Sequence, residues 1–156
     1  MKPKQPITVV FNASVLLSAC HSPRGGSAHL LRLLEKKQFV GIISETIFDE
    51  VLRHAARVRM TRKKLQRRMH RYFPIVWKAP MEATVNKWRH QMLDDGDAHL
   101  FATCEEVGAT HLVSLDKHHV LILQGKIRGF SLLSPGAFLA ALKQKRQLLT
   151  RGGERG

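Results

Sequence analysis

Acidic residues are scarce in this chain: 12 Asp and Glu stand against 26 Lys and Arg, a formal charge of +14 over 156 residues. Such an excess of cations favours association with a polyanion, and nucleic acid is the commonest one. Cysteine is nearly absent. Cys20 and Cys104 fit neither a zinc-finger spacing nor a disulfide framework, so both read as reduced core residues of a cytoplasmic protein. No run approaches the ~20 apolar residues that span a bilayer. No basic amphipathic segment stands apart from the core pattern either, so no membrane partner is expected. The start, Met1 to Pro6, leads directly into a strand and lacks the apolar stretch and cleavage site of a signal peptide. A single tyrosine leaves little for a base-stacking platform, so any nucleic acid is expected to be held by its phosphates. No internal repeat is present.

What is present is the patterning of one α/β domain. The apolar fraction is 44%, and the length suffices for a real core. Ile7 to Phe11 is a short Val-rich run of the kind found in buried parallel strands. Ser27 is placed to cap a helix with Leu30, Leu31 and Leu34 on one face. Phe39 to Ile43 reads as a second strand, and Ser44 as the cap of a helix striped by Ile47, Phe48, Val51 and Leu52. Strand–helix–strand–helix implies a parallel sheet. Thr61 to Tyr72 reads as a basic helix, Ile75 to Trp77 as a short strand and Glu82 to Met92 as a helix. Asp94-Asp95-Gly96 is a turn capping a helix that runs to Val107, with Gly108 as its stop. Thr110 to Leu115 and Phe130 to Leu133 complete the strands, and Ser134-Pro135 starts a last helix. From Lys143 the apolar pattern is gone, so residues 143–156 are expected to form a basic, disordered tail on a domain of residues 1–142.

Three acids sit where such a fold gathers a site, in the crevice at the carboxyl ends of its strands. Glu50 shares the edge of the buried face of its helix, Asp97 precedes Leu100 and Phe101 in a first helical turn, and Asp116 closes a strand. An ionised carboxylate half-buried against apolar neighbours is costly unless a cation or hydrogen bonds compensate it. If the three meet, a shared metal relieves their repulsion. Taken singly, each has an ordinary reading as a cap or turn residue. The first strand, which should supply the central acid, ends instead in the amide Asn12.

Four blocks carry a family resemblance: Val9 to Ala19, Ile43 to Leu52, Asp94 to Leu100 and His111 to Lys117, with Phe130 to Leu139 as a fifth, weaker one. In this order the chain resembles PIN-domain proteins, of the group that forms the toxin component of toxin–antitoxin pairs. The resemblance implies a Rossmann-like α/β/α sandwich with a central parallel sheet. It also implies a ribonuclease with an acidic Mg²⁺ or Mn²⁺ site. Carried over by position, the catalytic acids are Glu50, Asp97 and Asp116, and the metal set is Asn12, Glu50, Asp97 and Asp116. Where the family has Asp-Thr-Asn, this chain has Asn12-Ala13-Ser14. The site therefore loses one negative charge and one proton acceptor, and cleavage is expected to be weak or absent. Asp94 or Asp95 compensates only by turning inward. All four metal-set residues are expected in one cleft.

Arg62, Lys63, Lys64, Arg67, Arg68 and Arg71 surround a thin apolar seam of Leu65, Met69 and Tyr72, and are the expected RNA-binding residues. No His-x-x-x-His pair shares a helix with a ligand acid, so the histidines read as lying outside the metal set. A cognate antitoxin is the partner the resemblance implies. A homodimer would fit the amphipathic segments Ser27 to Lys37 and Ser44 to Val58. The competing reading is a non-catalytic RNA-binding or protein-interaction module on the same fold.

Overall fold

The computed structural model describes residues 6–153. What the sequence suggests for Met1 to Gln5 and for the last three residues lies outside them. Four strands, β1 (Thr8–Phe11), β2 (Val40–Ile42), β3 (His111–Val113) and β4 (Ser131–Leu133), form one sheet. Its order is β2-β1-β3-β4 and every pairing is parallel. Val9, Val10, Phe11, Leu112 and Val113 are fully buried, as strands covered on both faces require. Seven helices follow the strands: α1 (Ala13–His21), α2 (Gly26–Glu35), α3 (Glu45–Arg53), α4 (Arg62–Tyr72), α5 (Glu82–Arg89), α6 (Ala98–Val107) and α7 (Pro135–Gly153). α6 lies on β1 and β3 with α5 packed against it, while α1, α2, α3, α4 and α7 contact one another as a second group. The result is a Rossmann-like α/β/α sandwich.

Two aromatic clusters mark the two sides of the core. Phe11 meets Phe39 and Phe73 at ring-centroid distances of 6.2 and 5.6 Å, and Phe39 meets Phe138 of α7 at 5.2 Å. Trp88 of α5, Phe101 of α6 and Phe130 form the other cluster, with centroids 5.5 to 5.9 Å apart. Offset and edge-on aromatic pairs of this kind add about 1 kcal/mol each beyond the area they bury. Gly41 in β2 is where the helices approach closest: a Cβ there would meet Leu34 Cδ1 at 2.7 Å and Phe73 Cε1 at 3.1 Å.

Several boundaries differ from the sequence reading, each for a physical reason. α2 is capped by Gly25, and Ser27 is a buried residue of its first turn. Ile75 to Trp77 contributes only one bridge, Trp77 to Ser44, continuing the sheet edge beyond β2 for a single residue. The helix beginning after Ser44 ends at Arg53, and a 3-10 turn over Ala55–Val58 closes on Arg59 in the left-handed region at φ 54°. The expected disordered tail is corrected: α7 continues without a break to Gly153. Lys, Gln, Arg and Leu are good helix formers, and the missing apolar pattern signals exposure there, not loss of helix. Finally, Leu30, Leu31, Leu34, Ile47, Val51 and Leu52 are buried within the single chain. The apolar stripes of α2 and α3 are thus covered without a second copy.

Candidate functional site

β1 connects to β2 on one side and pairs with β3 on the other, so the sheet's switch point lies between β1 and β3. Open α/β sheets place ligand sites at the carboxyl ends of strands at such a point. Asn12 leaves β1 there, its backbone N–H donating to the Val113 carbonyl at 3.0 Å. Its side chain is buried, and Nδ2 donates to Ser114 Oγ at 2.8 Å. The same Ser114 oxygen accepts from the Asp116 backbone N–H at 3.0 Å. Asn12 is thereby joined to Asp116 through one hydroxyl. Ser14, two residues on, accepts from the Leu115 N–H at 3.3 Å and ties the start of α1 to the end of β3.

Asp116 is held by its own turn. Oδ1 accepts from the His118 and His119 backbone N–H groups at 3.1 and 2.9 Å, and Oδ2 lies 3.4 Å from His119 Nδ1. Asp97 is the opposite case. It precedes α6 at the end of a 3-10 turn (Asp95–Asp97), and its carboxylate makes no capping bond. Oδ2 is buried and has no hydrogen-bond partner. Burial first, and then the carboxylates of Asp94, Asp116 and Glu50, push Asp97 up to about 6, with His119 opposing the rise. Glu50 on α3 comes within 3.9 Å of His99 Nε2. His99, the second residue of α6, is held down to about 4 by burial and by Arg53. Its Nδ1 is also buried without a partner.

The structure therefore brings Glu50 and Asp116 each within electrostatic reach of Asp97, and links Asn12 to Asp116 through Ser114. It adds Asp94, named above as a turn residue and a compensating acid, and His119, which the sequence reading left outside the metal set. Ligand atoms of Asp94, Asp97 and His119 all lie within 4.8 Å of one another. Asp94 does cap, as expected: its Oδ1 accepts from the Gly96 N–H at 2.9 Å. It nevertheless stands beside Asp97. The only sequence signal for His119 was its place three residues beyond Asp116, in a turn closed by that acid.

The basic helix divides. Arg62, Lys63, Lys64 and Arg67 are exposed on α4. Arg71 is engaged by Glu35 at 3.2 Å. Arg68 is half-buried, and hydrogen bonding to Tyr72 together with the nearby Cys20 and Glu35 raises its pKa despite that burial. Arg62 also lines an open pocket of about 530 Å³ with Thr46, Asp49 and Arg53 of α3, the helix that carries Glu50. A groove of about 610 Å³ lies at the other end of the sheet, lined by Ile7 and Val40 and by Leu142 and Leu149 of α7. Among the described residues none that lines it is a carboxylate.

A family model described as the PIN domain matches residues 8–118. Among solved structures, VapBC2 from Rickettsia felis, bound to a DNA fragment from their promoter, superposes with a TM-score of 0.60 at 12% identity. That match covers 81% of this chain and 97% of the other. PAE2754 from Pyrobaculum aerophilum superposes with a TM-score of 0.59 at 20% identity, covering 88% of this chain and 90% of the other. At these identities the likeness is one of fold. A comparison with curated protein sequences finds no match.

Proposed function

We propose, from the premise that this chain belongs to the PIN domain family, that it is a divalent-metal endoribonuclease of the toxin–antitoxin type, impaired by Asn12. The observation that carries the reading is the Asp97 carboxylate, with one oxygen buried and unpartnered beside Asp116 and Glu50. A carboxylate in that state is stabilised by a cation more than by anything else the chain offers. The donor set is mainly oxygen, which suits a hard ion such as Mg²⁺ or Mn²⁺. Glu50, Asp97 and Asp116 would hold it. When bound, the ion supplies an activated water and neutralises charge on the phosphate.

The chain's own residues do the rest. Asp116 is fixed by two backbone N–H groups and so presents a rigid carboxylate. Exposed Arg62, Lys63, Lys64 and Arg67 seat phosphates by charge alone, without reading bases. Asn12 offers a carbonyl oxygen but neither negative charge nor a site for a proton. If the missing charge weakens transition-state stabilisation by about 3 kcal/mol, the rate falls by roughly a hundredfold or more. A cognate antitoxin is the partner this reading implies.

The test is RNA cleavage in Mn²⁺ by wild type, Asn12→Asp, and a triple variant that adds Ala13→Thr and Ser14→Asn. Asp97→Asn is the inactive control. The expected outcome is weak cleavage by wild type and a large gain in the variants. Full activity of the wild type, abolished by Asp97→Asn, would remove the impairment and keep the enzyme. Asn12 itself favours a second reading, a silent RNA-binding module. Silence of the triple variant, with RNA and metal still bound, would decide for it.

A further inference from the structure

A site that lacks its first carboxylate needs its ligands from elsewhere, and the side chains gathered around Asp97 include two outside the expected metal set. We propose that Asp94 and the imidazole of His119 join Asp97 as ligands of that divalent ion, so that a nitrogen ligand takes the place Asn12 leaves weak. This rests on the metal-site reading above and specifies which atoms build it.

Three observations carry it independently of family pattern. First, the ligand atoms of the three residues lie within 4.8 Å of one another. An ion with bonds of about 2.1 Å keeps its ligand atoms within about 4.2 Å of each other, so a slight closure of side chains suffices. Second, Asp97 Oδ2 is buried without a hydrogen-bond partner, an acceptor that nothing in the chain satisfies. Asp94 is oriented beside it by the Gly96 N–H on Oδ1, which leaves its other oxygen unspent. Third, His119 is positioned as carboxylates position metal-binding histidines. Its backbone N–H is fixed to Asp116 Oδ1 at 2.9 Å, and Nδ1 faces Asp116 Oδ2 at 3.4 Å. A carboxylate beside one ring nitrogen orients the imidazole and leaves the other nitrogen to face a metal. Asp116 then also orients His119.

The chemistry has a selective consequence. Imidazole suits transition ions better than Mg²⁺, which prefers oxygen alone. The chain should therefore discriminate for Mn²⁺ over Mg²⁺ more strongly than an all-carboxylate site does, and the excess should depend on His119.

The experiment is Mn²⁺ titration of the full chain, without RNA, followed by pulsed electron paramagnetic resonance of the bound ion. The expected result is saturable binding, lost in Asp97→Asn, with a ¹⁴N coupling from a directly bound histidine. His119→Gln should remove that coupling and weaken Mn²⁺ by about tenfold or more, and Asp94→Asn should weaken it similarly. His118→Gln should leave coupling and affinity as in wild type. His119 is about half exposed, with 47% of its side chain accessible, so its replacement leaves the core intact. Binding that depends on Asp97 but shows no ¹⁴N coupling, and is indifferent to His119→Gln, overturns this ligand set and leaves the metal-site reading standing. Absence of saturable Mn²⁺ binding overturns both.

Discussion

Asp97 stores an electrostatic cost that a simple substitution should release. Its folded-state pKa of about 6 lies above the ordinary 3.8, chiefly through burial. The unfolded chain gives up that proton more readily than the folded one. Stability is therefore lost as pH rises from about 4 through about 6, and stays lower above that window. Asp97→Asn removes the penalty. In metal-free buffer near neutral pH it should stabilise the protein by about 1 kcal/mol, a figure that allows for solvent reaching a half-buried group. For a domain of this size that raises Tm by about 2–4 °C. The gain should vanish below pH 4, where both forms are neutral. With Mn²⁺ in excess the order should invert, because an ion that binds only the folded wild type stabilises only the wild type. Melting curves across pH, with chelator and with Mn²⁺, check both signs. A destabilised Asn variant in chelator at neutral pH would show that the buried oxygen is satisfied in solution.

At the scale of elements, α4 is the segment whose role is read most directly. Arg62, Lys63, Lys64 and Arg67 are free to meet phosphates, whereas Arg71 is engaged by Glu35. Each phosphate contact removed should lower the slope of log affinity against log salt by about 0.7 for a single-stranded RNA. Arg67→Ala should show that drop and Arg71→Ala much less of it, measured by anisotropy across a salt series. Equal slopes for both variants and wild type would return α4 to a merely solvated face. Element ends were legible where their chemistry is local. Ser44 and Thr61 accept from N–H groups three residues on, and Gly108 takes the left-handed conformation at φ 65°. They were not legible where tertiary contact decides. Gly26 lies against α7, where an added Cβ would meet Leu139 Cδ1 at 3.8 Å, and the start of α2 follows that packing instead of the Ser27 hydroxyl. The acids show the same division. Placement at strand ends and helix starts pointed to Glu50, Asp97 and Asp116. The approach of His119 depends on how one turn folds back, which residue spacing does not encode.

The whole molecule is polarised along its strands. Carboxylates gather at one end of the sheet, and an apolar groove bounded by α7 occupies the other. Among the described residues no helix is long and apolar enough to cross a membrane. Beyond Leu142, α7 buries almost nothing: Leu148 and Leu149 are 70% and 57% exposed. Ending the chain after Arg146 should therefore change stability by no more than about 0.5 kcal/mol, as surface changes generally do. Denaturant midpoints of the full and shortened chains measure this. A loss of several kcal/mol would mean that the end of α7 is covered in solution.

The hydroxyl of Ser114 can serve either an amide or a carboxylate at position 12. It accepts from Asn12 Nδ2 and from the Asp116 N–H, and its own proton remains to be given. Were Asn12 an aspartate, the same hydroxyl would donate to it across the same distance, and no neighbour would have to move. Codons for asparagine and aspartate differ by a single base. The hydrogen bond itself thus sets no obstacle to the exchange, and a carboxylate at position 12 is one base change away. What would oppose it is charge: a buried carboxylate at position 12, joined to Asp116 through Ser114, would carry the kind of penalty that Asp97 carries until a cation binds.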